Sequence, residues 1–132
     1  MDVLYTVTEK RNTQKGGTEM CNKSEAITIL GEVIKAFREK FPGKLADAYL
    51  YGSYARGDYN EESDIDILLT ADIQPEEIMR YQKTLSGINS DLSLEHGVTV
   101  SALVKPAAQF NKYAAVLPYY QNVIREGIRY AG

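Results

Sequence analysis

This chain has almost no side chains suited to cross-linking or to a cysteine-based metal centre. It carries one cysteine, Cys21, and one histidine, His96, in 132 residues. An internal disulfide is therefore impossible, and a structural zinc site is not expected. A lone cysteine is compatible with a reducing cytoplasm, which is the expected location. No run of about 18 apolar residues occurs, so no membrane span is expected. The polar opening segment has no apolar signal-peptide core. Positive charge is not in excess either: 15 Lys and Arg stand against 18 Asp and Glu, for a net charge of −3. That argues against nucleic-acid binding by bulk electrostatics. It leaves room for a small anionic ligand that arrives with a metal ion.

What remains is an ordinary globular composition, 44% hydrophobic and 25% charged, with a length suited to one core. Residues 1–22 read as an N-terminal extension, with a short strand over MDVLYTVT and Met20 as an alternative start. Residues 23–132 read as a single domain. Asn22 or Ser24 can cap a helix over 24–41, whose Ala26, Ile27, Leu30, Val33, Ile34, Phe37 and Phe41 recur at three- and four-residue spacing. Pro42-Gly43 ends it. LADAYLYG (45–52) and SDIDILLT (63–70) read as strands. Pro75 opens a helix with Ile78, Tyr81, Leu85, Ile88 and Leu92 on its apolar stripe, and Gly97 stops it. VTVSALV (98–104) is a third strand. A final helical region runs from Pro106 to about Tyr130, broken at Pro118. The expected class is α+β, a mixed sheet flanked by helices in the order α-β-β-α-β-α.

The chemistry concentrates in YGSYARGDYNEESDIDILLT, residues 51–70. Asp64 and Asp66 are two apart on a strand, so both project from one face, about 6–7 Å apart at the backbone. Like charges in that position repel unless a cation lies between them. Oxygen ligands on a rigid strand suit Mg²⁺, which keeps waters and binds one or two carboxylates plus phosphate oxygens. Gly52 lets another group approach the backbone, and Ser53 with its turn offers a hydroxyl and N–H groups to phosphate. Together these describe a nucleoside triphosphate site. Arg56 either contacts phosphate, pairs with an acid of the site, or fixes the turn through Asp58. Ser63 orients the loop rather than reacting. His96, beside Gly97, reads as a helix-end residue. Tyr113, Tyr119, Tyr120 and Tyr130 serve either as packing or as a docking patch.

The motif Gly52-Ser53, ten residues, then Asp64-Ile65-Asp66 resembles the signature of the DNA polymerase β-type nucleotidyltransferase superfamily. The fuller text, GSYARGDYNEESDIDILL, is similar to its minimal, MNT-type members. The resemblance implies Mg²⁺ (or Mn²⁺) held by Asp64 and Asp66, and triphosphate contacts from Gly52 and Ser53, with Arg56 and Ser63 in support. It implies transfer of a nucleoside monophosphate, usually AMP from ATP, to a hydroxyl, with loss of pyrophosphate. It also implies a helical HEPN-type partner protein, in an antitoxin and toxin pair, or a second copy of the chain supplying the acceptor surface. In one respect the chain departs from the family. The third carboxylate of the family falls on the strand VTVSALV, which has no acid, and Ser101 stands about where it belongs. This motivates an alternative, a nucleotide-binding, antitoxin-type module with weak or no catalysis.

Overall fold

A computed structural model describes residues 21–130 of the chain. The expectations for residues 1–20, the strand over MDVLYTVT and the start at Met20, lie outside that range. Helix α1, Lys23–Lys40, begins where Asn22 turns its side-chain oxygen back to accept from the Glu25 N–H at 2.8 Å. Its apolar stripe of Ala26, Ile29, Leu30, Val33, Ile34 and Phe37 is buried. Ile29 joins this stripe, and Ile27 sits at its margin. Substituting Asn22 with Ala should cost about 1 kcal/mol of stability, the usual worth of a capping side chain, read by urea denaturation.

Strand β1 is Leu45–Tyr51, and the turn after it becomes a one-turn helix α2, Ser53–Arg56. Strand β2 is Ile65–Ala71. A 3-10 turn at Pro75–Glu77 then leads into α3, Ile78–His96, which Gly97 closes in a left-handed conformation. Strand β3 is Val100–Pro106. The C-terminal region holds two helices, α4 (Ala107–Tyr113) and α5 (Pro118–Glu126), and then a two-residue strand β4, Ile128–Arg129. The expected helix to Tyr130 is thus corrected: the backbone leaves the helix at Gly127 and pairs with β1. The simple α-β-β-α-β-α order gains α2, the split final helix and β4.

The four strands form one mixed sheet in the order β3-β2-β1-β4. β1 runs antiparallel to both β2 and β4, while β2 and β3 are parallel. One face is covered by α1 and α3, which bury Ile65, Ile67, Leu69, Val100, Ala102 and Val104 beneath them. The other face carries a second, smaller core of Tyr49, Leu68, Phe110, Tyr120 and Val123 under α4 and α5. Leu68, which alternation places on the aspartate face, is fully buried there. The aspartate face is therefore half roofed, and its end near Asp66 stays open.

β3 is an edge strand, yet four of its outer backbone groups are occupied by side chains of α3. Asn89 of α3 bonds both the N–H and the C=O of Ala102, each at 3.1 Å. Gln82 takes the Val104 N–H at 3.0 Å and gives to the Ala102 carbonyl at 3.2 Å. Ser93 Oγ accepts from the Val100 N–H at 2.8 Å. No helix among the described residues is long and apolar enough to cross a membrane.

Candidate active site

Antiparallel pairing sets Tyr51, the last residue of β1, opposite Asp66 near the start of β2, and parallel pairing sets Ser101 of β3 on the other side of Asp66. Paired residues project to the same face, so Tyr51, Asp66 and Ser101 stand in a row across the sheet. Asp64 immediately precedes β2 and is exposed, and Asp66 is half-buried. Burial pushes the Asp66 carboxyl above its ordinary value, the neighbouring Asp64 pushes it further, and Arg56 partly offsets both. The two carboxylates therefore sit close enough to repel, and a divalent cation between them would relieve that repulsion.

Gly52 is held at φ +76°, ψ −157°, a region open essentially to glycine alone. A Cβ at this position would collide with the Asp66 carboxylate, through Oδ2. The side chain of Asp66 thus lies directly against the Gly52 backbone, at the point where Ser53 begins α2. Ser53 is half-buried, and its carbonyl accepts from the Gly57 N–H at 2.8 Å. Tyr54 drops from α2 into the core and stacks on Tyr59, with ring centroids 4.4 Å apart and planes 12° from parallel. This stack pins the loop that returns to Asp64.

Arg56, close enough to Asp66 to act on its charge, makes its direct contacts elsewhere: its Nε meets Asp58 Oδ2 at 3.3 Å, and its Nη1 meets Glu126 Oε1 of α5 at 3.6 Å. Of its readings, fixing the turn is the one with contacts, and Glu126 adds a tether between α2 and α5 that spacing alone did not reveal. Ser63 Oγ accepts from the Asn60 N–H at 2.9 Å, and Asn60 Oδ1 accepts from the Glu62 N–H at 2.8 Å. Ser63 therefore organises the loop before Asp64. His96 ends α3 and faces Glu32 of α1, on the opposite side of the sheet from Tyr51 and Asp66. The tyrosines divide: Tyr120 packs in the smaller core, Tyr130 packs against the larger one, and Tyr119 hydrogen-bonds Tyr51, hydroxyl to hydroxyl, at 2.6 Å. That pair, beside Asp66, is the element of the site that the sequence reading missed. Its one signal is Tyr51 itself, next to Gly52 at the strand end.

The family model for the nucleotidyltransferase domain matches residues 30–130, most of the chain, from within α1 through β4. The chain belongs to the nucleotidyltransferase domain family. This nucleotidyltransferase domain is 36% identical over 106 residues to a Methanocaldococcus jannaschii protein, MJ0604, provisionally named a protein adenylyltransferase. The match spans 80% of this chain and 95% of that one. It is 32% identical over 93 residues to protein adenylyltransferase MntA of Thermococcus cleftensis, across 64% of this chain and 92% of the other. In fold, it is similar to a crystal structure from Sulfolobus solfataricus, provisionally assigned as a nucleotidyltransferase. The TM-score is 0.56 and the identity 21%, over 81% of this chain and 80% of that one.

Proposed function

We propose that this nucleotidyltransferase domain moves AMP from ATP onto a hydroxyl of a partner protein, releasing pyrophosphate. The observation that carries the reading is the closure of the Gly52-Ser53 turn against Asp66, a half-buried carboxylate already strained by Asp64. Asp64 and Asp66 are the residues to hold Mg²⁺, with Mn²⁺ as a substitute. Once bound, the cation neutralises both carboxylates and supplies positive charge to the triphosphate oxygens. Gly52 and Ser53 present backbone and hydroxyl groups to the triphosphate. Arg56 braces α2 through Asp58 and Glu126, and Ser63 sets the loop that delivers Asp64. The names of the relatives, protein adenylyltransferases, favour a protein acceptor. A helical HEPN-type protein is the partner that the family resemblance implies. Exposed Val116, Leu117 and Tyr119, beside the open end of the sheet, offer it apolar surface.

The test uses ATP labelled at the α-phosphate, with Mg²⁺ and then Mn²⁺, incubated with the protein and with lysate from its own source. Label should move to a protein acceptor with the native chain and not with an Asp64→Asn/Asp66→Asn variant. Label movement that persists in the variant would overturn the site.

The pairing of Ser101 with Asp66 favours a second reading, an ATP-binding module with little turnover. A carboxylate at Ser101 would lie beside Asp66, where it could share in holding metal and activating the acceptor. Ser101→Asp should therefore raise the transfer rate by about tenfold or more while ATP affinity changes little. An unchanged rate, with transfer already present in the native chain, would show that Ser101 does not limit the chemistry.

A further inference from the structure

On the face of the sheet opposite Asp66, three potential ligands converge where α3 ends against α1. His96 Nε2 lies 2.7 Å from Glu32 Oε1 and 4.0 Å from Glu95 Oε2. One ligand atom from each of the three residues lies within 4.8 Å of the others. The imidazole is 1% exposed, while the Glu32 and Glu95 side chains are 30% and 56% exposed, so the cluster has a buried nitrogen and an open carboxylate side.

We propose that Glu32, Glu95 and His96 form a second cation site, separate from the aspartate pair, for a borderline transition ion of the Zn²⁺ type. The donor set decides the class. One imidazole nitrogen with two carboxylate oxygens suits Zn²⁺, Co²⁺ or Ni²⁺, whereas Mg²⁺ takes oxygen alone. Zinc bonds of about 2.0–2.2 Å in a tetrahedron leave donor atoms about 3.3–3.6 Å apart. The observed 2.7 and 4.0 Å separations bracket that value and the third is no more than 4.8 Å, so side-chain adjustments on the order of 1 Å bring the donors together. Three protein ligands leave the fourth position to solvent on the Glu95 side. The ion takes the place of the proton shared between His96 and Glu32, and the site fastens the last turn of α3 to α1. It lies behind β3, whose start α3 already holds through Ser93 and Val100.

The experiment uses a Cys21→Ala/Asp64→Asn/Asp66→Asn background, which removes the thiol and the aspartate pair as competing ligands. Calorimetric titration with Zn²⁺ should give one ion per chain and a raised melting temperature. Co²⁺ should give the visible bands of a tetrahedral site. Adding Glu95→Gln, at an exposed position that the fold tolerates, should weaken Zn²⁺ binding about 10–100-fold and bleach the Co²⁺ bands, and His96→Gln should abolish both. The proposal is overturned if the background binds no Zn²⁺, or if Glu95→Gln binds it as tightly as the background. Neither result touches the transferase reading, because labelled-ATP transfer by the native chain is measured with Mg²⁺ or Mn²⁺ and without Zn²⁺.

Discussion

Replacing Asp66 with Asn should lower nucleotidyl transfer by on the order of 10²–10³-fold, yet raise the melting temperature of the metal-free protein. The two effects share one cause. Burial and Asp64 hold the Asp66 carboxyl above its ordinary 3.8. A carboxyl raised in the folded state binds its proton more tightly there than in the unfolded chain. Its contribution to stability is present below the unfolded value and is lost as pH rises through the folded one. At neutral pH the ionised Asp66 is thus a cost that the fold carries without metal, and a neutral Asn removes it. Removing the charge would also remove a ligand of the proposed cation. The pH profile follows in sign: protons compete for a carboxylate with a raised pKa, so transfer should fail on acidification above the pH at which an ordinary aspartate titrates. More Mg²⁺ should move that acid limb to lower pH. Differential scanning calorimetry without metal, with rate against pH at two Mg²⁺ concentrations, checks both. An Asn variant that melts lower than the native chain, or transfers at the native rate, would falsify the assignment.

Gly52→Ala should be nearly as damaging to activity and, unlike Asp66→Asn, should also destabilise the protein. At φ +76° an L-residue is strained by about 1–3 kcal/mol. The added methyl also occupies the space of Asp66 Oδ2, so either the carboxylate or the turn must move. On the proposed site, displacing the carboxylate would take a ligand from the metal, and displacing the turn would take Ser53 from the phosphates. A double-mutant cycle separates strain from collision. In an Asp66→Ala background the collision partner is gone, and Gly52→Ala should cost only its backbone strain. Equal costs in both backgrounds, measured by denaturation, would show that the close approach of Asp66 is unimportant.

The legible parts of the sequence were those fixed by local chemistry. The capping oxygen of Asn22, the helical spacing of Leu30, Val33, Ile34 and Phe37, and the stop at Gly97 each act within a few residues. Alternation likewise set Asp66 on the face opposite Ile65 and Ile67, whereas Asp64, expected inside the strand, falls just before β2. What sequence hid was set across the sheet. β4 is two residues long and exists because Leu50 and Ile128 pair, with Arg129 bonding Asp47 at 2.7 and 2.9 Å from 82 positions away. Nothing local announces it except Gly127, whose missing side chain lets α5 end against the Leu50 carbonyl. The smaller core was hidden for the same reason: Leu68 looked like a partner of the aspartates until Phe110 and Tyr120 covered it. Arg56 had three readings because its partners, Asp58 and Glu126, lie one near in sequence and one far.

The side chains of Gln82, Asn89 and Ser93 along the outer backbone of β3 have a consequence for how this molecule can meet others. An edge strand ordinarily offers a template on which another chain can lay a strand of its own. Here that template is already read by a helix of the same chain, and at the opposite edge β4 is too short to dictate a register. Among the described residues, the β3 edge is therefore a poor place for a second copy to add a strand. Recognition of another protein falls instead to shape and side chains around the open end of the sheet, where the nucleotide would lie.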